Sequence, residues 1–293
     1  MITRNFLPTR YAVTLFTRCA GAAVIFAVLF VAFPSEAAVR ITKKYDSYVK
    51  RTITVMGTKY EINVVTIDLA NPKLKILTYT GTNKNSCYNV SCKVKELKSY
   101  LDEGQGFAAI NGAYFCPKDY ASCRGMEGGY YWMIYNAKNK TLVNEYQNRF
   151  NTGPLITFNA AKQWHFFRIA KTFPGLDALK LVDGSELTAA ISNGPAFIEG
   201  GTYVLNDERI NALDNKSRYT KTNRGGFGIK DSKVYLIIAR KATVPDLGLI
   251  MKALGMQYAI NLDGGGSSAL WYRGSYKVGP GRQLPNAIVF SER

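Results

Sequence analysis

The residues best suited to do chemistry lie in one stretch near the carboxyl end, residues 259–268, with the sequence AINLDGGGSS. Its apolar start predicts a buried strand. The three glycines that follow allow positive φ angles, so successive backbone amides can turn toward one anion. Asn261 and Asp263 alternate with Leu262, so both side chains face one side at the strand end. The stretch predicts a polar pocket with a carboxylate at its lip; a tight turn with an Asx cap is the structural alternative.

Three further polar side chains stand at predicted strand ends. Asn111 follows a short apolar run, and Asn193 separates two predicted strands in an Asn-Gly-Pro sequence. A buried amide needs hydrogen-bond partners, which a ligand or the protein's own backbone can supply. Arg224 precedes two glycines, so its guanidinium can cross bare backbone and bind an anion through two hydrogen bonds. A surface arginine is the alternative interpretation.

Histidine chemistry is poorly supported by this sequence. The single histidine, His165, lies among aromatic residues of an alternating strand, a position that favours packing. A hydrolase with Ser267 or Ser268 as its nucleophile would need a nearby base, and His165 is a poor candidate. Asp263, the serines and backbone carbonyls together offer oxygen ligands for calcium. No EF-hand-like spacing supports such a site, so calcium is the one cofactor that these residues allow.

The amino-terminal residues have the pattern of an export signal. Three arginines precede an uncharged run over residues 19–33, and small residues follow up to Ala38. This pattern predicts a signal peptide over residues 1–38, cleaved after Ala37 or Ala38, and a short membrane anchor is the alternative. We therefore expect a secreted or periplasmic protein over residues 39–293, with no stable membrane span after cleavage.

The charge of the exported part favours anionic partners. Removing the predicted signal lowers the formal net charge from +17 to about +15. The basic residues are scattered, without a basic helix or a run of five or more, so nucleic acid is not predicted as a partner. The anionic partners that remain outside the cell membrane are a phosphorylated glycan or another anionic carbohydrate, and lipid headgroups. A merely solvated basic surface is the alternative.

Four cysteines follow the predicted signal: Cys87, Cys92, Cys116 and Cys123. An even number in an oxidising compartment predicts two disulfides. Three pairings are open, of which the local pairs Cys87–Cys92 and Cys116–Cys123 are the simplest. A zinc site is the alternative, but the spacings are looser than those of zinc knuckles.

The pattern of apolar residues predicts an α+β fold: a single domain with a mixed β-sheet core and a few flanking helices. Alternation or short apolar runs predict the strands, and spacing of three and four residues predicts the helices. Predicted strands cover residues 51–69, 74–80, 107–110, 130–135, 155–158, 163–169, two segments within 187–201, 223–229, 234–239, 257–262, 268–272 and 286–290. Predicted helices cover residues 94–101 and 245–254. No repeat or linker divides the chain.

Four segments, in order, resemble the phosphodiester glycosidase family. They are Asn111-Gly-Ala-Tyr-Phe115, Ser192-Asn-Gly-Pro195, Arg224-Gly-Gly-Phe-Gly228, and the helix and loop of residues 245–268. The resemblance spans about residues 107–290, and its last segment is the most specific. The chain departs from the family pattern at Asn193, at Gly225 and Gly226, and at Asp246, where the family often has glutamate.

The resemblance implies an exported hydrolase that cleaves a sugar 1-phosphodiester at the anomeric carbon, within a phosphorylated glycan, an envelope polysaccharide or an exopolysaccharide. It implies catalytic roles for Asp263 and Arg224, with Glu199 or Asp246 as candidates for a second carboxylate. Substrate contacts would come from Asn111, Asn193, Asn261, Gly264, Gly265, Gly266, Ser267 and Ser268. The alternative is a non-catalytic protein that binds glycans or sugar phosphates on the same fold.

Overall fold

The computed structural model describes residues 44–146 and 153–292, and the predicted signal peptide, residues 1–38, lies outside them. In chain order the first elements are β1 (Asp46–Val55), β2 (Thr58–Asp68), β3 (Lys75–Thr80), α1 (Leu97–Glu103), β4 (Gly106–Asn111), β5 (Ile134–Asn136), β6 (Thr141–Val143), β7 (Leu155–Asn159), β8 (Trp164–Phe167), α2 (Leu176–Asp183) and β9 (Leu187–Ser192). The remaining elements are β10 (Ala196–Glu199), β11 (Thr202–Tyr203), α3 (Asp207–Asn211), α4 (Asn215–Tyr219), β12 (Thr222–Lys230), β13 (Lys233–Ala242), α5 (Val244–Ala253), β14 (Tyr258–Asn261), β15 (Leu270–Tyr272), β16 (Ser275–Val278) and β17 (Asn286–Ser291).

The strands form three sheets. The largest has the order β1-β2-β13-β12-β14-β10-β11, the second β16-β15-β4-β17-β3, and the third β6-β5-β9-β7-β8. The strand pairs within them run antiparallel. Because antiparallel neighbours need only short connections, no long crossover helices are required, and the helices stay few and short. The predicted α+β single domain is confirmed.

The main hydrophobic core lies where the three sheets face one another. Side chains from each sheet contribute to it, including Phe227, Ile110 and Ile156, all of which are fully buried. Helix α5 packs on a second core at the other face of the largest sheet, and α1 covers the second sheet. The sheets are therefore held rigidly against each other, and their strand ends are fixed in space.

The helices were predicted less completely than the strands. The two predicted helices are present as α1 and α5, and α5 begins where Thr243 and Asp246 form a capping box. Helices α2, α3 and α4 were not predicted, because they are short, with eight, five and five residues. The strand predicted over residues 130–135 is reduced to β5, since its first residues form an irregular loop beside the first disulfide.

Two disulfides, Cys87–Cys92 and Cys116–Cys123, close short loops next to each other. They are the local pairs that the sequence suggested as the simplest. Residues 127–130 connect the two loops. The Cys92 N–H donates to the carbonyl of Glu127, and the Cys116 N–H donates to the carbonyl of Gly129. Together they fix an irregular region that runs from the end of β4 to β5.

No helix of the described chain has the length and apolar character needed to cross a membrane.

Candidate active site

Strand ends from the three sheets meet at one place. β4 of the second sheet ends at Asn111, β14 of the largest sheet ends at Asn261, and β9 of the third sheet leads into Asn193. Backbone hydrogen bonds join them, with the Asp263 N–H donating to the carbonyl of Gly112 at 2.9 Å. The predicted site residues are therefore neighbours, although they come from distant parts of the sequence.

Asn111 holds the glycine-rich loop, residues 263–269, in place through its side-chain amide. It is fully buried, its amide donates to the carbonyl of Asp263 at 2.8 Å, and its oxygen accepts from the Ala269 N–H at 3.1 Å. One side chain thus joins the start and the end of the loop. Because both ends of the amide are bonded to backbone, Asn111 orients Asp263 from behind the pocket wall.

Asn193 and Asn261 hold the neighbouring loop that carries Tyr114. Asn193 is fully buried, accepts from the Tyr114 N–H at 2.9 Å and donates to the carbonyl of Asn261 at 3.0 Å. Asn261 donates to the Tyr114 hydroxyl at 2.6 Å and to the carbonyl of Gly194 at 3.0 Å. These bonds fix the hydroxyl of Tyr114 near Asp263.

The glycine-rich loop turns sharply after Asp263. Gly265 has a φ of +62°, which a side chain rarely adopts, so glycine suits this turn. The Gly264 N–H donates to Asp263 Oδ1 at 2.7 Å, so this amide holds the carboxylate. Gly266 lies against Arg282, where an added Cβ would stand 2.7 Å from a guanidinium nitrogen. The loop therefore brings a carboxylate and an arginine to one pocket.

That pocket has a volume of about 230 Å³ and is lined mainly by polar groups. Asp263, Gly264, Gly265, Gly266 and Ser267 form one side of it. The other sides are formed by Tyr114, Phe115, Pro117, Tyr120, Asp214, Lys216, Ser217, Thr222, Arg224 and Arg282. The cationic lysine and two arginines suit an anionic group, while the carboxylate gives the same space a base.

Burial raises the pKa of Asp263 to about 6. The hydrogen bonds from the Ser267 side chain and the Gly264 N–H, and the charges of Arg282 and Lys216, work in the opposite direction. A carboxyl group with such a pKa is mostly ionised at pH 7 but takes up a proton readily. Asp263 is therefore suited to accept a proton near neutral pH.

Tyr114 keeps its hydroxyl proton. Burial and the nearby carboxylate of Asp263 raise the pKa of Tyr114 above its usual value, against the hydrogen bonds to Ser217 and Asn261. A neutral phenol can donate a hydrogen bond as well as accept one. Tyr114 therefore offers an O–H at the pocket wall beside the base.

Arg224 is 3% exposed, and two of its nitrogens bind backbone carbonyls. Nη2 donates to the carbonyl of Lys216 at 2.7 Å and to that of Thr220 at 2.9 Å. Nε donates to the carbonyl of Ala242 at 3.4 Å. Because α4 has only five residues, these bonds anchor a helix that could not persist alone. Arg224 adds positive charge to the pocket wall and holds α4 against β12.

The loop of the second disulfide covers one side of the pocket. The Tyr120 hydroxyl accepts a hydrogen bond from the Lys216 ammonium, which also lies 4.5 Å from the centre of the Tyr120 ring. Asp119 forms an ion pair with Arg282 at 3.2 Å. Lys216 and Arg282 are therefore both positioned by one loop, which the Cys116–Cys123 disulfide closes.

The sequence matches the family model described as phosphodiester glycosidase over residues 106–291. The chain belongs to this family. The matched region contains every strand end that builds the pocket, including Asn111, Arg224 and Asp263. No curated protein matches the sequence.

Two solved structures share the fold of this phosphodiester glycosidase family member. The catalytic domain of zebrafish N-acetylglucosamine-1-phosphodiester alpha-N-acetylglucosaminidase, auto-inhibited by its pro-peptide, has a TM-score of 0.62 at 16% identity and covers 85% of this chain and 83% of its own. A hypothetical protein from Synechocystis has a TM-score of 0.58 at 14% identity and covers 84% of this chain. The present chain spans 62% of that cyanobacterial protein. At these identities the likeness concerns the fold.

In this phosphodiester glycosidase family member, the predicted site residues lie in two layers around the pocket. Asp263, Arg224, Gly264, Gly265, Gly266 and Ser267 line the pocket. Asn111, Asn193, Asn261 and Ser268 lie behind its wall, where their side chains bind backbone groups or Tyr114. The substrate contacts predicted for this second layer stay a prediction.

The two candidates for a second carboxylate lie outside the pocket. Asp246 accepts from the Thr243 N–H at 2.8 Å as part of the capping box of α5, and Glu199 forms an ion pair with Arg168 at 2.9 Å. The carboxylate that shares the pocket with Asp263 is Asp214, which caps α4 through the Ser217 N–H at 2.9 Å. Burial raises the pKa of Asp214, but its hydrogen bonds with Ser217 and Lys216 outweigh burial and lower it overall.

Sequence reasoning missed several residues of the pocket wall. Lys216 and Ser217 lie on the unpredicted α4, and Arg282 follows a Gly-Pro-Gly turn. A signal for α4 does exist, since Asp214 three residues before Ser217 is typical of a helix start. Tyr114 stood inside a motif but received no role. His165 lies on β8, stacked on Phe167 and outside the pocket.

A metal site is not evident in the described part of the chain, where no three acidic, histidine or cysteine residues gather closely enough to hold an ion.

Proposed function

We propose that this protein is an exported hydrolase that cleaves a sugar 1-phosphodiester and releases the free sugar and a phosphomonoester. One observation carries the proposal: the carboxylate of Asp263, whose pKa is raised to about 6, shares a small pocket with the cations Lys216, Arg224 and Arg282. A phosphodiester needs positive charge around its oxygens, and attack by water at the sugar carbon needs a base. Family membership supports the same reaction.

In the proposed reaction, Asp263 acts as the general base. A water oxygen attacks the anomeric carbon, and the bond from that carbon to the phosphate oxygen breaks. The electron pair leaves with the phosphate, and the proton of the water passes to the Asp263 carboxylate. Because a phosphomonoester is a stable anion, its departure needs little protonation, and a second catalytic carboxylate is not required.

The cations have different tasks in this proposal. Lys216 and Arg282 contact the phosphate oxygens and stabilise the charge that grows on them as the bond breaks. Arg224 adds charge from behind and positions α4, since its Nε and Nη2 atoms are bonded to carbonyls. The hydroxyl of Tyr114 orients the attacking water or a sugar hydroxyl. Asn111 holds Asp263 in position, and Asn193 and Asn261 hold Tyr114 in position.

Export of the protein is part of the proposal. The amino-terminal pattern of residues 1–38 has the features of a secretory signal, and the two disulfides suit an oxidising compartment. Secretion into culture medium or periplasm, with a mature chain that begins after Ala37 or Ala38, would be read directly from the amino-terminal sequence of the recovered protein.

A panel of sugar 1-phosphodiesters tests the reaction. The purified exported chain is incubated with each member, including a methyl diester of N-acetylglucosamine 1-phosphate, and free sugar is measured. We expect release of sugar by the native protein and a loss of at least a hundredfold for Asp263→Asn. Turnover is expected to fall below about pH 6, where Asp263 becomes protonated.

The control is Asp231→Asn, which removes an exposed carboxylate at the turn between β12 and β13. It should leave turnover unchanged. Retained turnover in Asp263→Asn would overturn the assignment of the base. Tight binding of the diesters in calorimetric titration, with no sugar released by the native protein, would instead identify a non-catalytic binding protein.

A further inference from the structure

The pocket around Asp263 adjoins a further space on each of two sides. Phe115, Pro117, Gly266 and Arg282 also line a larger space of about 810 Å³ on one side, which we call the Arg282 arm. Tyr114, Asp214 and Ser217 also line a space of about 340 Å³, which we call the Asp214 arm. The two arms share no lining residue with each other. The Asp263 pocket therefore lies in the middle of a longer cleft.

Aromatic rings line the cleft on the side of the Asp214 arm. Tyr131 and Trp132 line this arm and also an adjoining apolar space of about 300 Å³, whose wall includes Tyr88 and Phe115. The Tyr131 and Trp132 rings lie with their centroids 4.5 Å apart and their planes tilted by 31°. Tyr131 is 39% exposed and Tyr88 is 43% exposed, so part of each ring is accessible to a ligand.

The chemistry of this arm suits a sugar ring. A pyranose has one apolar face of C–H groups, which packs on an aromatic ring, and a rim of hydroxyls, which need hydrogen-bond partners. The arm supplies both, since Arg209, Asp214 and Ser217 line it together with the rings. An acyl chain would leave those polar groups unpaired on binding, and this would cost affinity.

The opposite arm is polar and mixed in charge. Lys118, Asp119, Glu127, Gln283 and Arg282 line the Arg282 arm. Such a surface can hold the hydroxyls and the next phosphate of a chain that continues past the cleaved bond. A protein that removed only a terminal sugar would also need room here for its leaving group. On the sugar side, however, it would need space for one sugar alone, whereas the Asp214 arm adjoins a further space that Tyr131 and Trp132 also line.

We propose that the substrate is a glycan chain with phosphodiester links, bound across the whole cleft and cut at an internal link. A sugar of the chain stacks on Tyr131 in the Asp214 arm, the phosphate lies at Lys216 and Arg282, and the chain continues into the Arg282 arm. This inference rests on the proposed function for the cutting step, while the aromatic sugar site can be tested without any turnover.

Binding of an uncharged oligosaccharide tests the aromatic site alone. The probe is a phosphate-free hexamer of N-acetylglucosamine, titrated into the full exported chain by calorimetry. We expect binding that weakens at least tenfold in Tyr131→Ala and is retained in Tyr131→Phe, which keeps the ring. Tyr146→Ala, which removes an exposed tyrosine that lines none of the three spaces, is the control and should bind as the native protein does.

Cleavage of a labelled oligomer tests the internal position. The probe contains six N-acetylglucosamine units joined by 1-phosphodiester links, with a fluorescent group at one end. We expect fragments of intermediate length in the first few per cent of reaction. Tyr131→Ala should raise KM for this oligomer at least tenfold, whereas the control Tyr146→Ala should leave this KM unchanged.

The outcomes separate the two proposals. Failure of the native protein to bind the neutral hexamer, or equal binding by Tyr131→Ala, overturns the sugar site even if single-sugar diesters are cleaved. Shortening of the labelled oligomer by one unit at a time overturns internal cutting. Hexamer binding without cleavage of any diester supports the sugar site and overturns the proposed hydrolysis.

Discussion

At the scale of single residues, Asp263 is held in a state that costs stability. Burial raises the pKa of its carboxyl to about 6, so ionisation of this group at neutral pH is less favourable in the folded chain than in the unfolded chain. The folded state binds the proton more tightly than the unfolded state, so the stability associated with this group is present below about pH 4. It is lost as the pH rises through about 6.

The direction of this pKa shift gives a prediction for the stability of Asp263→Asn, which can be measured without a substrate. At pH 7.5 the variant should be more stable than the native protein by up to about 3 kcal/mol, from a shift of about two pKa units. At pH 3.5 the difference should vanish, since the native carboxyl is then neutral too. Urea unfolding at both pH values measures it. A variant that is less stable at pH 7.5 would contradict the burial argument, and Asp231→Asn should change neither value.

Residues behind the pocket wall were harder to predict than those on it. Asp263 was found because a carboxylate followed by three glycines is rare outside sites and turns. The partners of Asn111 could not be foreseen, since they are the backbone groups of Asp263 and Ala269, about 150 residues away in the chain. Lys216 and Arg282 look like any surface cation in the sequence. Only the fold makes them neighbours of Asp263.

At the scale of elements, α4 depends on a residue outside it. Arg224 on β12 binds the carbonyls of Lys216 and Thr220, and the helix itself is too short to be stable in isolation. Lysine at position 224 keeps the charge but cannot reach several carbonyls with a planar fork. The position of Lys216 in the pocket therefore depends on the guanidinium and not on charge alone.

We predict that Arg224→Lys leaves the sheets intact and loosens α4. Amide exchange over residues 215–220 should speed up at least tenfold, and kcat/KM on the single-sugar diester should fall by a similar factor. Hydrogen-exchange mass spectrometry and the sugar-release assay measure the two effects. Arg240→Lys, at an exposed ion pair with Glu61, is the matched control and should change neither. Unchanged exchange in α4 would show that Arg224 does not anchor it.

At the start of α5, Asp246 stabilises the first turn of the helix. Asp246 accepts from the Thr243 N–H, and the Thr243 hydroxyl accepts from the Asp246 N–H at 3.2 Å. Such a capping box needs an acceptor at this position, which glutamate or aspartate can provide. The departure from the family's usual glutamate therefore preserves the cap.

Asp246→Ala should cost about 1 kcal/mol of stability and leave turnover within twofold of the native value. The physical reason is that the Thr243 N–H loses its partner, while Asp246 does not line the pocket. Chemical denaturation and the sugar-release assay test this pair of outcomes. A large loss of turnover with little loss of stability would return Asp246 to the list of catalytic candidates.

At the scale of the whole molecule, three sheets bring their strand ends to one point. Strand alternation predicted most of the sheet residues and the α+β class, because burial of one strand face leaves a clear period in the sequence. It could not predict which strands share a sheet, since β4, β9 and β14 are separated by long stretches of chain. The pocket exists only at this meeting point, so its full wall could not be derived from the sequence.

The second disulfide acts on the pocket through the loop that it closes. Its removal by Cys116→Ser together with Cys123→Ser should leave the sheets folded, while Tyr120 and Asp119 lose their fixed positions at Lys216 and Arg282. We expect kcat/KM to fall at least tenfold with an almost unchanged far-ultraviolet circular dichroism spectrum. The double variant Cys87→Ser with Cys92→Ser is the comparison, and it should affect the aromatic side of the cleft more. Full turnover without Cys116–Cys123 would contradict this role.

The position of this covalent bond also determines which part of the protein suffers when the chain is produced in a reducing compartment. Without the Cys116–Cys123 bond, the loop of residues 116–123 would no longer hold Tyr120 and Asp119 against Lys216 and Arg282. Secondary structure would report little of this loss, because none of the four cysteines lies on a strand. Counting free thiols would therefore be the direct measurement that separates a competent preparation from an incompetent one.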